Sequence, residues 1–452
     1  MPDRIVVENA AIATVDADDT EITSGHLVVE GNRIVAVGPG PAPADDVATR
    51  RVDGSGHLLT PALVNTHHHF YQWLTRGLAP DAILFDWLVA LYPTWSRIDE
   101  ESVYAAARGS MASLLLSGCA TAADHHYVFP RDGGDVFGAT VRAASELGVR
   151  FHAARGSMDL GQSAGGLPPD YAVESIDAVL AGTAEAIQTH HDPAPDAMTR
   201  VAVAPCSPFS VSGDLLRETA ALARTHDVRL HTHGSETAEE EQYCLERFGV
   251  RPTDYLDGLG WLGADVWMAH CVHMNDADIT RFAATGTGVA HCPSSNARLG
   301  VGIAPIPEML AAGVPVGLGA DGSASNESGS LGAELRAALL FARARSGPSA
   351  LTARQALRLA TMGGARVLGR AEELGSIEPG KLADVAVWRI DGVGHSSIED
   401  PVAALVMGAQ PPLTMLIANG RVVVEDDVLL TADVDVVALE ARDHARRLLD
   451  AS

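Results

Sequence analysis

Three consecutive histidines, His67, His68 and His69, follow a short apolar run in the segment LLTPALVNTHHHFYQWLTRG. Imidazole nitrogens are common ligands of zinc and other transition metals. A histidine triplet alone is weak evidence for a metal site, so partners must be sought elsewhere in the chain. Polar side chains that can serve as partners stand at the ends of other short apolar runs: His233, Glu236, His270, His291 and Asp321.

The middle of the chain, roughly residues 59–370, alternates short apolar runs with stretches of helical spacing. This alternation predicts a parallel sheet, because parallel strands need a long crossover between them. Eight such units predict an α/β fold, a closed (β/α)8 TIM barrel, whose strand ends meet at one mouth. The runs are LLTPALVNTHHH, GCATAADHH, VRFHAARGS, RVAVAPCS, VRLHTHGSE, VWMAHCVH, GTGVAHCPSSN and VPVGLGADGS.

Because the triplet lies at a strand end, its three histidines are expected to have different roles. Side chains alternate between the two faces of a strand, so His67 and His69 should project together toward the mouth. His68 should project oppositely, as a packing residue or as a hydrogen-bond donor behind the ligands. His67, His69 and His233 with Asp321 make a plausible metal-ligand set that leaves room for a water. A metal lowers the pKa of such a water to about 7, which makes hydroxide available at neutral pH.

The other polar groups at the mouth suit proton transfer and charge stabilisation. Glu236 lies three residues after a ligand candidate, so it can carry a proton to a substrate nitrogen. The later glutamates of GSETAEEEQ lack this offset and are expected at a solvated helix start. Asp321 ligates the metal or lies beside it, and can take a proton from the water. His270 can donate to the oxygen of a tetrahedral intermediate. His291 serves similarly or is structural, and His273 is a further candidate behind the ligands.

Both ends of the chain consist of short β-branched runs separated by Gly, Asp and Asn turns. We expect residues 1–58 and 375–436 to pair into one small β-sandwich domain beside a catalytic barrel over 59–370. The last segment, 437–452, has the spacing of a terminal helix. The predicted architecture is therefore a TIM barrel with a β-sandwich built from both chain ends.

Composition excludes several classes of partner. Lysine and arginine number 32 against 58 acidic residues, and the formal net charge of −26 repels phosphate backbones and anionic lipids. We therefore expect no nucleic-acid partner. We also expect no membrane partner, since no run reaches the ~18 apolar residues of a membrane span. Five cysteines without a CxxC pair fit reduced thiols, and no signal-peptide pattern is present, so we expect a cytoplasmic protein.

Two further features bear on the cofactor. Lys381 is the only lysine of the chain, so it is the only candidate for Schiff-base chemistry or for a modified lysine that bridges two metals. It lies in EPGKLADV, far along the chain from the histidine clusters. The stretch GLGADG, residues 317–322, matches the GxGxxG pattern of dinucleotide sites, but a lone match is weak. We favour the metal interpretation, because this stretch ends one of the eight predicted strands.

Taken together, the motifs resemble the amidohydrolase superfamily and, within it, the cytosine/guanine/S-adenosylhomocysteine deaminase group. The resemblance covers nearly the whole chain. It implies a hydrolase that holds one Zn²⁺ ion, with Fe²⁺ as the alternative, and removes an amine from a heterocycle. The single lysine agrees with this, since members with two metals usually bridge them with a modified lysine. The motifs that carry the resemblance are NTHHH, HTHGSE, AHCVH, HCPSSN, GADGSASN and GSIEPGKLADVAVW.

Several segments are more narrowly similar to the bacterial 8-oxoguanine deaminases: HHHFYQWLTR, LFDWLVALYPTW, SGCATAADHHYVFP and CSPFSVS. This similarity implies the conversion of 8-oxoguanine to urate and ammonia. Gln72 would then bond an amide edge of the purine, and Cys206 would face its five-membered ring. Cys206 stands where many members of the wider group carry His, and HTHGSE departs from their commoner HTHLAE.

Other functions stay open on the sequence alone. Pterin deaminases, guanine deaminases and s-triazine hydrolases are alternative enzymes with related motifs. A catalytically inactive barrel that only binds metal or base is the alternative from outside the enzymes, although Glu236, Asp321 and the histidines are all retained. We expect a small heterocyclic molecule as the substrate and a homo-oligomer as the assembly.

Overall fold

The computed structural model describes residues 4–43 and 50–450 of the chain. The N-terminal part is rich in β-branched residues, which favour extended backbone, and it forms strands. β1, β2 and β3 form an antiparallel meander, whereas β4 and β5 pair parallel to β1. The strands are β1 Arg4–Ala13, β2 Glu21–Glu30, β3 Arg33–Pro39, β4 Arg50–Asp53 and β5 His57–Pro61.

The middle of the chain forms a second sheet, with one strand from each of the eight apolar runs. Neighbours in this sheet follow chain order and pair parallel throughout. The first and last strands meet where the Thr66 N–H donates to the Leu318 carbonyl at 2.8 Å, so the sheet closes into the predicted barrel. Its strands are β6 Leu63–Asn65, β7 Cys119–His126, β8 Arg150–Ser157, β9 Thr199–Pro205, β10 Arg229–Gly234, β11 Val266–His270, β12 Gly288–His291 and β13 Val316–Leu318.

The C-terminal part returns to the first sheet, and β14 pairs antiparallel with β5. The order of that sheet is β17-β16-β15-β14-β5-β1-β2-β3, with β4 beside β1. The strands are β14 Val385–Arg389, β15 Leu413–Ala418, β16 Arg421–Glu425 and β17 Val428–Leu429. A separate hydrophobic core unites residues of both chain ends, among them Ile12, Leu27, Val387 and Ile417. The expected small β-domain built from both ends is thus confirmed, and its strand β5 runs past residue 58.

Helices cover the outside of the barrel, and several begin at side chains that cap exposed N–H groups, such as Asp99, Thr237 and Asn275. None of the described helices is long and apolar enough to cross a bilayer. The helices are α1 Leu84–Trp95, α2 Glu100–Leu116, α3 Val136–Leu147, α4 Ile176–His190, α5 Gly213–Thr225, α6 Ala238–Phe248, α7 Pro252–Gly258, α8 Asp276–Thr285, α9 Pro293–Arg298, α10 Ile306–Ala312, α11 Leu331–Ser346, α12 Ala353–Arg358, α13 Gly364–Val367, α14 Pro401–Met407 and α15 Val434–Asp450.

Candidate active site

The ligand candidates stand at the C-terminal ends of barrel strands and therefore at one mouth. His67 and His69 follow β6, His233 lies in β10, His270 ends β11, and Asp321 follows β13. All five side chains are buried, with His233 the most exposed at 8%. The C-terminal mouth is where enzymes of this fold place their active sites.

Four of these side chains direct ligand atoms at one another. The Nε2 atoms of His67 and His69 lie 3.3 and 3.4 Å from Asp321 Oδ1. The Nε2 atoms of His69 and His233 are 3.2 Å apart. Zinc–nitrogen bonds of about 2.0–2.1 Å in tetrahedral geometry separate neighbouring ligand atoms by about 3.3 Å. These three distances match the ligand spacing of a zinc-sized ion. Ligand atoms of His67, His270 and Asp321 also lie within 4.8 Å of one another, as do those of His67, His125 and His233. His67 Nε2 is buried and makes no hydrogen bond within the described residues, so this nitrogen is available to bind a metal.

Hydrogen bonds behind the ligands fix which ring nitrogen faces the mouth. His69 Nδ1 donates to the His125 carbonyl at 2.6 Å, and His233 Nδ1 donates to the Cys206 carbonyl at 2.7 Å. Both rings therefore carry their proton on Nδ1 and present a lone pair at Nε2. Burial lowers the pKa of His69 and of His233, which keeps both rings neutral and able to bind a metal.

His68 lies outside this group of converging atoms. Its ring packs against Phe70 with centroids 4.7 Å apart, and its Nδ1 accepts the backbone N–H of His69 at 2.8 Å. All three histidines come just after β6 ends at Asn65, so strand-like alternation continues for a few residues beyond the sheet. This places His67 and His69 on the metal side and leaves His68 among packing residues.

Glu236 and His270 face each other beside the ligand set. Glu236 Oε1 is 3.6 Å from His270 Nε2, and Asp321 Oδ2 is 3.9 Å from the same nitrogen. Burial raises the pKa of Glu236 to about 7, so this carboxyl can both accept and release a proton near neutral pH. Burial opposes a charged His270, but the neighbouring carboxylates of Glu236 and Asp321 raise its pKa overall. His270 Nδ1 donates to Asn296 Oδ1 at 2.9 Å, which orients the ring.

The backbone around the site adopts the left-handed region at Ser235, His270 and Asp321, with φ values of 52°, 71° and 63°. Such conformations cost non-glycine residues of order 1–3 kcal/mol each and persist only where the surroundings hold them. At Ser235 the holding group is Glu240, whose buried carboxylate accepts the N–H of Ser235 at 2.9 Å and that of Glu236 at 2.7 Å. Glu240 thus belongs to the machinery that places Glu236, although its sequence context predicts a solvated residue.

We expect Glu240→Gln to lower both the melting temperature and the turnover rate. A glutamine keeps one acceptor oxygen but turns an NH2 group toward a backbone N–H, so one of the two hydrogen bonds is lost. A hydrogen bond to a charged group contributes about 1.5–3 kcal/mol. Thermal unfolding and steady-state kinetics measure the two effects, and the exposed neighbour Glu239→Gln is the matched control. Unchanged stability and turnover in Glu240→Gln would show that the two hydrogen bonds accepted by the Glu240 carboxylate do not position Glu236.

A small pocket opens beside the ligand candidates. Its apolar walls are Leu84, Trp87, Leu88, Tyr127, Phe209 and Leu299, and its polar groups beside the ligand set come from Gln72, Cys206, Ser207 and Ser325. Of the residues that the structure describes, no lysine or arginine lines it. Gln72 packs against Gly322, where a Cβ atom would lie 1.8 Å from the amide oxygen. These walls suit a flat, uncharged heterocycle that bonds neutral polar groups.

The remaining predicted residues lie further from the pocket. His291 is buried at the end of β12, and its Nδ1 has no hydrogen-bond partner in the described part of the chain. His273 lies 3.0 Å from the Val301 carbonyl through Nε2, and its backbone N–H bonds the Ser235 carbonyl. Neither histidine lines the pocket. Gly234 stands where the commoner HTHLAE motif has leucine. A side chain at this position would contact Met268 and Leu256, which do not line the pocket among the described residues.

Two further buried histidines, which were not among the predicted site residues, lie behind the ligand candidates and hydrogen-bond them. The carbonyl of His125 accepts from His69, and His231 Nε2 lies 2.7 Å from His67 Nδ1. His231 and His233 stand at alternate positions of β10. This second HxH pattern, in VRLHTHGSE, is the signal that points to His231.

Comparison with known proteins places the site in a family. Residues 58–423 match the model of the amidohydrolase family. The chain is 46% identical over 425 residues to 8-oxoguanine deaminase of Pseudomonas aeruginosa, covering 93% of this chain and 94% of that protein. It is 37% identical to isoxanthopterin deaminase of an unknown prokaryotic organism, covering 99% and 98%. The crystal structure of atrazine chlorohydrolase from Arthrobacter aurescens TC1 complexed with zinc superposes with a TM-score of 0.93 at 34% identity, covering 98% of this chain and 100% of that one.

An eight-stranded parallel barrel with histidines and an aspartate converging at its C-terminal mouth defines a metal-dependent hydrolase. The family match and the high identity over almost the entire length then fix the relationship: this chain belongs to the amidohydrolase family. The predicted family and the predicted enzyme class, a metal-dependent deaminase, are thereby confirmed.

Proposed function

We propose that this chain is a zinc-dependent deaminase that converts 8-oxoguanine and water to urate and ammonia. The observation that carries the proposal is the buried Glu236 carboxyl, with a pKa of about 7, beside the four proposed ligands in a pocket that no described lysine or arginine lines. A transferable proton, groups able to hold a metal and apolar walls suit the hydrolytic removal of an amine from a flat heterocycle. The 46% identity to an 8-oxoguanine deaminase supports this substrate.

His67, His69, His233 and Asp321 would hold one zinc ion. When bound, zinc lowers the pKa of a coordinated water to about 7 and so supplies hydroxide at neutral pH. The zinc in the crystal structure of the similar atrazine chlorohydrolase supports this metal over Fe²⁺. Lys381 does not compete for a bridging role, because its ammonium bonds the Ala371 carbonyl at 2.7 Å and Ser376 Oγ at 2.6 Å in the segment before β14.

The proton-transfer steps fall to three side chains. Asp321 takes a proton from the attacking water, whose oxygen forms a bond to the ring carbon that carries the exocyclic amine. Glu236 delivers a proton to the adjacent ring nitrogen. His270, whose raised pKa favours the protonated ring, donates from Nε2 to the oxygen of the tetrahedral intermediate. The proton held by Asp321 then passes to the exocyclic amine, and the hydroxyl proton of the intermediate returns to Glu236 as the new carbonyl forms. The carbon–nitrogen bond breaks, and ammonia and urate leave.

Gln72 and Cys206 would recognise the two ends of the purine. Gln72 Oε1 is buried without a hydrogen-bond partner among the described residues, so it can accept a ring N–H while its NH2 group donates to the neighbouring carbonyl. Burial raises the pKa of Cys206 to about 12, so its side chain is a thiol and the thiolate is excluded. A thiol sulfur accepts weakly from the N–H that 8-oxoguanine carries on its five-membered ring, where guanine has a bare nitrogen.

We expect the ratio of kcat/KM for 8-oxoguanine over guanine to be large and to fall about 2–10-fold in Cys206→Ala, as for one hydrogen bond worth ~0.5–1.5 kcal/mol. Cys206→Ser keeps an acceptor and serves as the matched control. The kinetics of both bases in the parent and in the two variants measure the effect. A ratio unchanged in Cys206→Ala would remove this cysteine from recognition of the oxidised ring.

The substrate itself is tested by comparing kcat/KM for ammonia release from four compounds: 8-oxoguanine, guanine, isoxanthopterin and an amino-substituted s-triazine. We expect kcat/KM for 8-oxoguanine to exceed that for each of the other three compounds by at least a factor of ten. Isoxanthopterin is the second candidate, because the isoxanthopterin deaminase aligns over 99% of this chain. A higher kcat/KM on the pterin or the triazine would overturn the proposed substrate and leave the enzyme class unchanged.

A further inference from the structure

His231 forms the middle of a hydrogen-bonded chain that runs from the barrel wall to the ligand set. The residue is buried in β10, and its ring stacks on Trp267 of β11 with centroids 4.4 Å apart and an interplanar angle of 13°. Its Nδ1 lies 3.0 Å from the Trp267 carbonyl oxygen. Because a carbonyl oxygen only accepts, the proton of His231 sits on Nδ1, and Nε2 carries a lone pair.

The lone pair on His231 Nε2 determines which ring nitrogen of His67 carries the proton. His231 Nε2 lies 2.7 Å from His67 Nδ1, so His67 must donate from Nδ1. Its Nε2 is then left without a proton, 3.3 Å from Asp321 Oδ1. The alternative tautomer of His67 would set two lone pairs against each other across a buried contact, and a buried polar atom left without its partner costs about 1–3 kcal/mol.

His67 differs in this respect from the other two imidazole ligands. The Nδ1 atoms of His69 and His233 donate to backbone carbonyls, which no substitution removes. The ring of His67 instead depends on a side chain. Among the three, it is therefore the ligand whose orientation can be changed from behind without altering the ligand itself.

We propose that His231 is a positioning residue that holds the proton of His67 on Nδ1 and presents Nε2 to the metal. The inference rests on the metal site of the proposed function. It adds a side chain that touches neither metal nor substrate and acts through a ligand. Groups that orient ligating histidines in this way typically change metal affinity about 10–100-fold when they are removed.

The test is the zinc affinity of the intact protein, measured without substrate by competition with a chromophoric chelator. His231→Phe keeps a ring on Trp267 but removes the acceptor, and we expect zinc to bind about 10–100-fold more weakly. His231→Gln keeps an acceptor at similar reach and should stay within a few-fold of the parent. His231→Asn has the same chemistry but a side chain one methylene shorter, so it should resemble His231→Phe. Thermal unfolding of the metal-free proteins reports whether each variant folds.

Parent-like zinc affinity in His231→Phe would overturn the proposal. Equal weakening in His231→Gln and His231→Asn would also overturn it, since the effect would then come from packing and not from the acceptor. If His231→Phe does not fold, the comparison of zinc affinity between His231→Gln and His231→Asn tests the proposal by itself. The assay needs no turnover, so a protein that binds zinc but ignores 8-oxoguanine contradicts the proposed substrate and leaves this inference standing. A parent that binds no zinc contradicts both.

Discussion

Glu236→Gln should lower the turnover rate on 8-oxoguanine by about 10²–10⁴-fold while the protein keeps its metal, as expected for the loss of a general acid–base group. Glutamine has the shape of glutamate but no proton that it can pass to a ring nitrogen. Glu236 lies 3.6 Å from His270 and is not one of the four groups that converge as ligands. The measurement is kcat together with the zinc content of each preparation.

The control for this substitution lies in the same experiment. Retained zinc and an unchanged melting temperature show that the site is intact and that only proton transfer is lost. A turnover rate within a few-fold of the parent would exclude Glu236 from the reaction. Loss of zinc together with activity would instead assign it to the ligand set.

His67→Ala and His69→Ala should each lose the metal and, with it, activity down to the uncatalysed background. Each change removes one of the Nε2 atoms that lie 3.3 and 3.4 Å from Asp321 Oδ1. One of the four proposed ligands would be lost, and without the ion the buried Asp321 carboxylate would lack its counter-charge. Elemental analysis of purified protein measures the metal, and ammonia release measures the activity.

His68→Ala is the matched control from the same triplet. It removes a buried ring that packs on Phe70, so it should destabilise the fold while most of the metal stays bound. Loss of metal in His68→Ala with retention in His67→Ala would contradict the assignment of the triplet. Equal loss in all three would contradict it as well, since the segment would then respond as a unit.

The barrel could be predicted because its strands are short apolar runs that end in polar residues. Parallel strands buried on both faces lack polar alternation, so the polar residue that ends each run stands out. This contrast is what makes His233, His270 and Asp321 recognisable from the amino-acid sequence alone. The β-domain was predictable for a different reason: β-branched runs between Gly and Asn turns occur at both ends and nowhere else at comparable length.

The supporting residues could not be predicted in the same way. Glu240 sits in a run of glutamates whose members look alike, and only the loop at Ser235 folds back to place two backbone N–H groups on one of them. His125 contributes a backbone carbonyl, for which any residue type serves equally. The role of His231 depends on a contact between residues 164 positions apart in the chain. Hydrogen bonds of this kind follow from tertiary packing, which local sequence patterns do not encode.

The most direct test of a mononuclear zinc deaminase is a titration of the metal-stripped protein with zinc while ammonia release from 8-oxoguanine is recorded. The four proposed ligands and the lack of a lysine among them predict that the rate rises in proportion to added zinc and levels off at about one ion per chain, because these ligands surround a single position and leave room for a water. Urate and ammonia should then form in equal amounts. A zinc-saturated protein that releases no ammonia from 8-oxoguanine, or a rate that levels off only at two ions per chain, would contradict the account.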